Sequence, residues 1–311
     1  MREVQDRDGY VVFLPGPVLD EYYETDVWPA AGDKVRCRYV GRFCGGMIAN
    51  AACVCAGLGV RASCFDAVSS DADGEWVLKE LAAHGVDVSH VVRIDQRHDA
   101  RTLILLSQGE RNVFICEGRS PHELSLTEAQ LDYLRRAEYL YSELLFEHLI
   151  PDECGFLKFL WESGVKIVFD VEATSYCPNW RAYIRWANTV FINEFGVEKF
   201  REGHTVEEFA GELFGFGVER LVITLGGAGC RVLTAREDFT QRGYRVDAVD
   251  TTGAGDTFNA AFLACIKRGM SDRDAARYAN AAGAMCVMGF GPQAGITTFE
   301  KIEQFMLDQG T

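Results

Sequence analysis

Short apolar runs alternate along this chain with longer amphipathic stretches, and that rhythm restricts the fold more than any other feature. Val11–Leu14, Arg61–Val68, Glu138–Ser142, Lys166–Asp170, Thr189–Ile192 and Arg220–Leu225 read as strands. Helical patterns lie between them at Gly46–Leu58, Asp73–His84, Thr127–Leu134, Asp152–Ser163 and Val206–Phe214. Strands that alternate with helices predict an α/β fold with a mostly parallel sheet covered on both faces.

Two segments break the rhythm. Leu19 to Arg42 and His98 to Arg119 lack helical periodicity but hold extended pieces at Lys34–Val40, Ala100–Ser107 and Arg111–Cys116, the last two flanking the turn Gln108-Gly109-Glu110. Such insertions predict a small separate sheet, used as a lid over a site or as a pairing surface for a second copy. The C-terminal third predicts strands near Cys230–Thr234 and Tyr244–Val249, then two long helices almost back to back. The first, Asp256–Arg268, places Phe258, Ala261, Phe262, Cys265 and Gly269 on one buried face. Ser271 is the expected N-cap of the second, which is rich in alanine.

Of the 311 residues, 48% are hydrophobic and 25% charged, which excludes wholesale disorder. Thirty-one Lys and Arg against 46 Asp and Glu leave a net charge of −15, so nucleic acid and anionic membranes are poor partners. A bound phosphate must then be held by backbone dipoles or a metal rather than by a basic face. The start, Met1 to Asp8, is charged where a signal peptide needs an apolar stretch, and the apolar-and-small run Ala51–Val60 is too short to span a bilayer. Eleven cysteines without a CxxC pair, among them Cys53, Cys55, Cys265 and Cys286 in apolar settings, predict reduced thiols in a cytoplasmic protein. His84, His90, His98, His122, His148 and His204 form no ligand spacing, so they read as surface or capping residues.

Chemistry concentrates in Val249-Asp250-Thr251-Thr252-Gly253-Ala254-Gly255-Asp256-Thr257-Phe258-Asn259-Ala260. A strand ends, two glycines free the backbone and a helix begins, so the amides from Gly253 to Asp256 can converge on an anion at the positive end of a helix dipole. A carboxylate beside that anion repels it, which makes sense if Asp256 takes a proton from an attacking hydroxyl. The plainer reading is a helix N-terminus whose Asp serves the dipole alone. Gly45-Gly46-Met47-Ile48-Ala49-Asn50 opens a second helix, where paired glycines admit a polar ligand and Asn50 offers a donor and an acceptor.

With both motifs in this order, the sequence resembles the ribokinase-like (PfkB) family of carbohydrate kinases from about Val11 to Ile296, including Leu81-Ala82-Ala83-His84-Gly85-Val86-Asp87-Val88 ahead of the second insertion. The resemblance implies a three-layer α/β sandwich with a central, mostly parallel sheet and a small β-sheet lid. The core would comprise residues 1–18, 43–97 and 120–311, and the lid 19–42 and 98–119. It implies Asp256 as catalytic base and Gly253, Ala254 and Gly255 as the anion hole. Asp20, Gly45, Gly46, Asn50 and the lid residue Arg111 would bind substrate. Asn193, Thr224, Gly226, Gly229 and Asn280 would face ATP and its Mg2+, while Asp250, Thr252, Gly291 and Gly295 would surround a monovalent cation such as K+. No resident metal site is assigned to named residues.

Three positions depart from the family pattern. Gly196 stands where the NxxE motif that begins at Asn193 has Glu, with Glu194 and Glu198 as the nearest substitutes. Asp170-Val171-Glu172-Ala173-Thr174 replaces D-x-N-x-R, and Met47 replaces a Lys found in members acting on sugar phosphates. The expectation is an ATP-dependent kinase that phosphorylates a hydroxyl, primary by preference, of a small sugar or polyol. A nucleoside kinase on the same fold and a sugar-binding regulatory protein with weak catalysis are the alternatives, and a homodimer through the lid is a further expectation.

Overall fold

Strand β1 (Val11–Leu14) is Val-Val-Phe-Leu and wholly buried, which is what a central strand of a parallel sheet requires. The computed structural model describes residues 9–116, 118, 124–144, 150–291 and 293–310; Met1–Asp8, Arg119, His122 and His148 lie outside the described residues. From β1 the chain crosses to a second sheet with β2 (Val18–Glu24) and β3 (Arg38–Gly45), then returns through helix α1 (Met47–Gly57). The short strands β4 (Ala62–Cys64) and β5 (Ala67–Ser69), helix α2 (Ala72–Ala83) and β6 (Val92–Ile94) precede β7 (Arg101–Ser107) and β8 (Glu110–Cys116). Helices and strands then alternate through α3 (Glu128–Arg136), β9 (Tyr139–Glu143), α4 (Glu153–Glu162), β10 (Lys166–Val171), α5 (Trp180–Ile184) and β11 (Thr189–Asn193). Next come α6 (Glu194–Phe200), α7 (Val206–Phe216) and β12 (Arg220–Thr224). The hairpin β13 (Gly229–Leu233) and β14 (Asp238–Arg242) leads into α8 (Ala254–Lys267), α9 (Asp272–Val287) and α10 (Phe299–Asp308).

The main sheet has the order β14-β13-β12-β11-β10-β9-β1-β4, parallel from β12 to β4 with β13 and β14 antiparallel at the edge. Successive side chains of β1 serve opposite layers. Val11 and Phe13 join Ile48 of α1 and Phe262 of α8, while Val12 and Leu14 join Leu157 of α4 and Phe209 of α7. The fold is the expected three-layer α/β sandwich. Strands β3-β2-β7-β8 form the smaller separate sheet. Among the described residues no helix is long and apolar enough to cross a membrane.

Four expectations need correcting. The run Arg61–Val68 is two strands, because Asp66 turns its carboxylate to the Gly16 and Ala67 amides and β5 leaves to pair with β6. The piece at Lys34–Val40 begins as a strand only at Arg38 and runs on to Gly45. Tyr244–Val249 forms no strand. The polar segment Asp238–Arg242 takes the sheet edge instead; beyond it the Gly243 amide bonds Ala228, and the Val249 amide reaches the Val287 carbonyl of α9. Finally, α8 is buried all round from Thr257 to Cys265 rather than on one face, since it lies between the sheet, α1 and α9. Small residues on α9, Ala279, Ala281 and Ala282, permit that close approach.

Phe262 anchors α8 to the sheet, fully buried and edge-on to Phe191 of β11 at 5.6 Å. Phe262→Ala is expected to cost about 3–5 kcal/mol, read as a lower urea midpoint with an unchanged slope. A loss below about 1 kcal/mol would show that α8 is held mainly by other contacts.

Candidate active site

The order of the parallel strands reverses beside β1, with β4 on one side and β9 on the other, so a crevice opens at their carboxyl ends. Polar residues end the otherwise apolar strands there. Glu143 of β9 stands opposite Asp170 of β10, and Asn193 of β11 opposite Thr224 of β12. Ahead of β2, the Gly16 amide donates to Asp66 at 2.6 Å.

Two helix N-termini face this crevice. Gly46 caps α1 at φ 95°, a conformation that favours glycine, and a Cβ there would stand 3.2 Å from the Val18 amide nitrogen. The close approach of the small sheet to α1 therefore needs the glycine. Gly253 caps α8 at φ 76°, so the chain turns sharply out of the Asp250–Thr252 segment into the helix. The Ala254 amide leans on the Thr251 carbonyl at 3.3 Å, whereas the Gly255 amide meets no acceptor among the described residues. Asp256, in the first turn, accepts a 2.8 Å hydrogen bond from the Asn50 side-chain amide of α1. Asp20 of β2 is buried, and its carboxylate lies against Gly45, where any Cβ would overlap it. Asp20, Gly45, Gly46, Asn50 and Asp256 thus meet along one wall.

Acidic groups here hold their protons unusually well. Burial pushes the Asp256 carboxyl up to about 8, with the Asp170 charge adding to it and the Asn50 hydrogen bond opposing. Burial raises Asp170 to about 6, partly offset by Tyr141, whose hydroxyl donates to it at 2.7 Å, and by Asn259 of α8. Glu143 is pushed up to about 8 by burial and by the Glu172 and Asp170 charges, and Asp20 to about 6 by burial against a hydrogen bond from Thr102. Among the described residues neither Lys nor Arg pairs with Glu143, Asp170 or Glu172, and no group of three or more His, Cys, Asp or Glu side chains is placed to hold a metal ion.

On the other side, Asn193 caps α6, its side-chain oxygen accepting the Gly196 amide at 2.7 Å. A Cβ on Gly196 would come within 2.6 Å of the Ile192 side chain, so a Glu at this position meets the strand. Glu198 is engaged by Arg201 at 2.5 Å and Glu194 is exposed. Thr224 ends β12 where a short turn from Gly226 to Ala228 begins. Gly229 has φ 108°, and a Cβ there would overlap the Gln241 carbonyl. Asn280 is buried within α9, its amide donating to Ala276 at 2.8 Å and to Cys230 at 3.4 Å, so this donor is turned inward.

The remaining candidates gather around Asp250. Its carboxylate accepts the Thr252 amide at 2.9 Å, the Thr252 hydroxyl at 2.7 Å and the Gly291 amide at 3.0 Å. Burial alone would raise this carboxyl, yet those bonds and the Arg111 charge hold it below the ordinary range. Arg111, on β8, hydrogen-bonds the Thr252 hydroxyl and lies 3.5 Å from Asp250. Gly295 packs against Thr257 instead.

Sequence reasoning missed the site positions of Glu143, Tyr141 and Asp66, and gave Asp170 no role beyond a departure from pattern. For Glu143 and Asp170 the available signal was an acid at the carboxyl end of a largely apolar run, because burial there costs too much without a purpose. The sign of the coupling follows. A carboxyl whose pKa rises on folding supports stability below about 4 and withdraws that support as pH climbs through about 8. Asp256→Asn is therefore expected to raise Tm by a margin that grows between about pH 5 and pH 9, measured by thermal melting; a gain independent of pH would mean that Asp256 carries no buried charge.

The comparisons with known proteins agree with this architecture. Residues 16–298 match the model of the pfkB family carbohydrate kinases. The ribokinase of Bacillus subtilis is 27% identical over 93% of this chain and 96% of its own, and the 2-dehydro-3-deoxygluconokinase of the same organism is 28% identical over 86% and 87%. The Arabidopsis thaliana ribokinase structure, complexed with ribose and ATP, superposes with a TM-score of 0.83 at 22% identity, covering 96% of this chain and 98% of that one. A match across nine-tenths of the sequence, on a crevice built from the motifs that carried the resemblance, makes the chain a member of the pfkB family of carbohydrate kinases.

Proposed function

We propose that this protein transfers the γ-phosphoryl group of ATP to a hydroxyl, primary by preference, of a small sugar or polyol. The observation that carries the reading is the Asn50–Asp256 hydrogen bond at the N-terminus of α8, beside the open Gly255 amide. Asn50 fixes one oxygen of Asp256 and leaves the other to accept the proton of a bound hydroxyl. Asp20 and Asn50, with the Gly45–Gly46 backbone close by, supply acceptors and donors for neighbouring hydroxyls. The amides of Gly253, Ala254 and Gly255 lie where negative charge would gather on the phosphoryl group in transit. Closure of the small sheet as a lid would exclude water from that step. Thr224 and the Gly226–Gly229 turn border the space left for the nucleotide, and Asn193 holds α6 in place beside it.

The donor set fits a magnesium that would keep most of its waters and use one or two carboxylates. Glu172 lies close enough to raise the Asp170 carboxyl, and both raise that of Glu143, while among the described residues no three side chains form a site of their own. Asp170 and Glu172 are the residues that would hold it, in place of the Glu that Gly196 excludes. Bound with the nucleotide, it supplies positive charge to the phosphate oxygens.

Other expectations stand as part of the same reading. The edge strand β8 exposes Val113, Phe114 and Ile115, a surface suited to a second copy of the chain. Eleven free thiols accord with a cytoplasmic setting, and a charge of −15 stands against nucleic acid and anionic membranes. A nucleoside acceptor is the second reading, favoured by Phe43 and the exposed Phe290, whose rings meet edge-on 6.4 Å apart beside the small sheet.

Asp256→Asn is expected to lower kcat by about 10²–10⁴ with little change in nucleotide affinity, and near-normal turnover would remove Asp256 from the role. For the intact enzyme, kcat/KM should rise with pH through about 8; a profile flat down to pH 6 would contradict a raised base. A panel of sugars, polyols and nucleosides assayed for ADP release should give its highest kcat/KM with a sugar or polyol. Preference for a nucleoside would select the second reading, and tight sugar binding without turnover would reduce the protein to a regulator.

A further inference from the structure

The carboxylate of Asp250 is the hub of the turn that leads into α8. It holds the amide and hydroxyl of Thr252 and the amide of Gly291, and it is 14% exposed. Among the described residues, the charge that faces it comes from the small sheet: Arg111 of β8 reaches down to Asp250 at 3.5 Å and also bonds the Thr252 hydroxyl. Two more strands of that sheet press on the same place. Tyr22 of β2 approaches Thr252, and Phe43 of β3 packs on Phe290 and Gly291.

This arrangement does not fit the monovalent cation expected around Asp250, Thr252, Gly291 and Gly295. The carbonyls that would ligate it are engaged, Gly291's by the Ala294 amide at 3.1 Å and Thr252's by the Cys286 thiol at 3.6 Å, while the Gly291 amide donates to Asp250 and Gly295 lies against Thr257. The anionic oxygens are already taken by hydrogen bonds, and a free cation would sit beside a guanidinium of like charge.

We propose that Arg111 is the built-in counter-charge of Asp250, delivered by the small sheet, so that closing this lid braces the turn into α8 without any monovalent cation. Arg111 is a positioning residue: it acts through Asp250 and Thr252 on the amides that follow them. The inference rests on the kinase reading, but the bracing itself is open to a readout that needs no turnover.

The test compares the full-length protein with Arg111→Met and Arg111→Lys, each in potassium chloride and in tetramethylammonium chloride at equal ionic strength. Wild type should melt at the same temperature and turn over at the same rate in both salts. Arg111→Met should lose about tenfold in kcat and gain a potassium-dependent rise in both kcat and Tm, while Arg111→Lys keeps most of the activity without a potassium response. Methylguanidinium should partly rescue the Met variant. A wild-type Tm that rises by several degrees or a wild-type rate that rises severalfold in potassium, or a Met variant that loses activity yet ignores potassium and methylguanidinium, would overturn the proposal. If the protein phosphorylates nothing, the melting comparison alone decides: only the Met variant should respond to potassium, and equal behaviour of all three chains rejects the bracing.

Discussion

The hydrogen bond between Asn50 and Asp256 joins two helix starts 206 positions apart in sequence, and most of the architecture can be understood as what keeps them together. Each start is set by a glycine with positive φ, so neither helix can begin one residue earlier or later without moving its polar side chain off the crevice. Helix α8 is held by burial on every side, which is why its first turn can present a carboxylate at a fixed place despite the repulsion from Asp170. Packing supplies the rigidity, and the unfavourable charge is the cost of placing a proton acceptor where a reaction needs one.

Much of this was legible in the residues. The apolar runs fixed the parallel strands from β9 to β12 to within a residue or two, because strands buried on both faces leave little choice of pattern. The Gly–Ala–Gly–Asp turn and the Gly–Gly–x–x–x–Asn helix start announced the two N-termini that face each other. What stayed hidden depended on tertiary partners. The edge strand Asp238–Arg242 is too polar to show a strand pattern, and it exists because β13 offers it an edge. Arg61–Val68 reads as one run, yet Asp66 has a partner fifty residues away at Gly16 that breaks it. The inward turn of Asn280 likewise depends on Cys230, a contact between a helix and a strand that spacing cannot reveal.

The position of Gly196 illustrates how a departure from pattern becomes physical. The sequence shows a missing acid; the fold shows that Ile192 fills the space a side chain would need and that the backbone amide serves Asn193. The acids that remain, Asp170 and Glu172, come from a neighbouring strand end. The same crevice is thus bordered by carboxylates from β9 and β10 instead of from α6, without a change in topology.

The raised carboxyls of Glu143, Asp170 and Asp256 have a consequence of their own. At neutral pH the crevice is a proton reservoir, because Glu143 and Asp256, each pushed up to about 8, hold hydrogen ions that a solvated surface would have released. Any visitor that brings positive charge must evict them into the medium. Calorimetric heats of association would then differ from one buffer to the next by the ionisation heat of the buffer itself, making ligand capture an acidifying event.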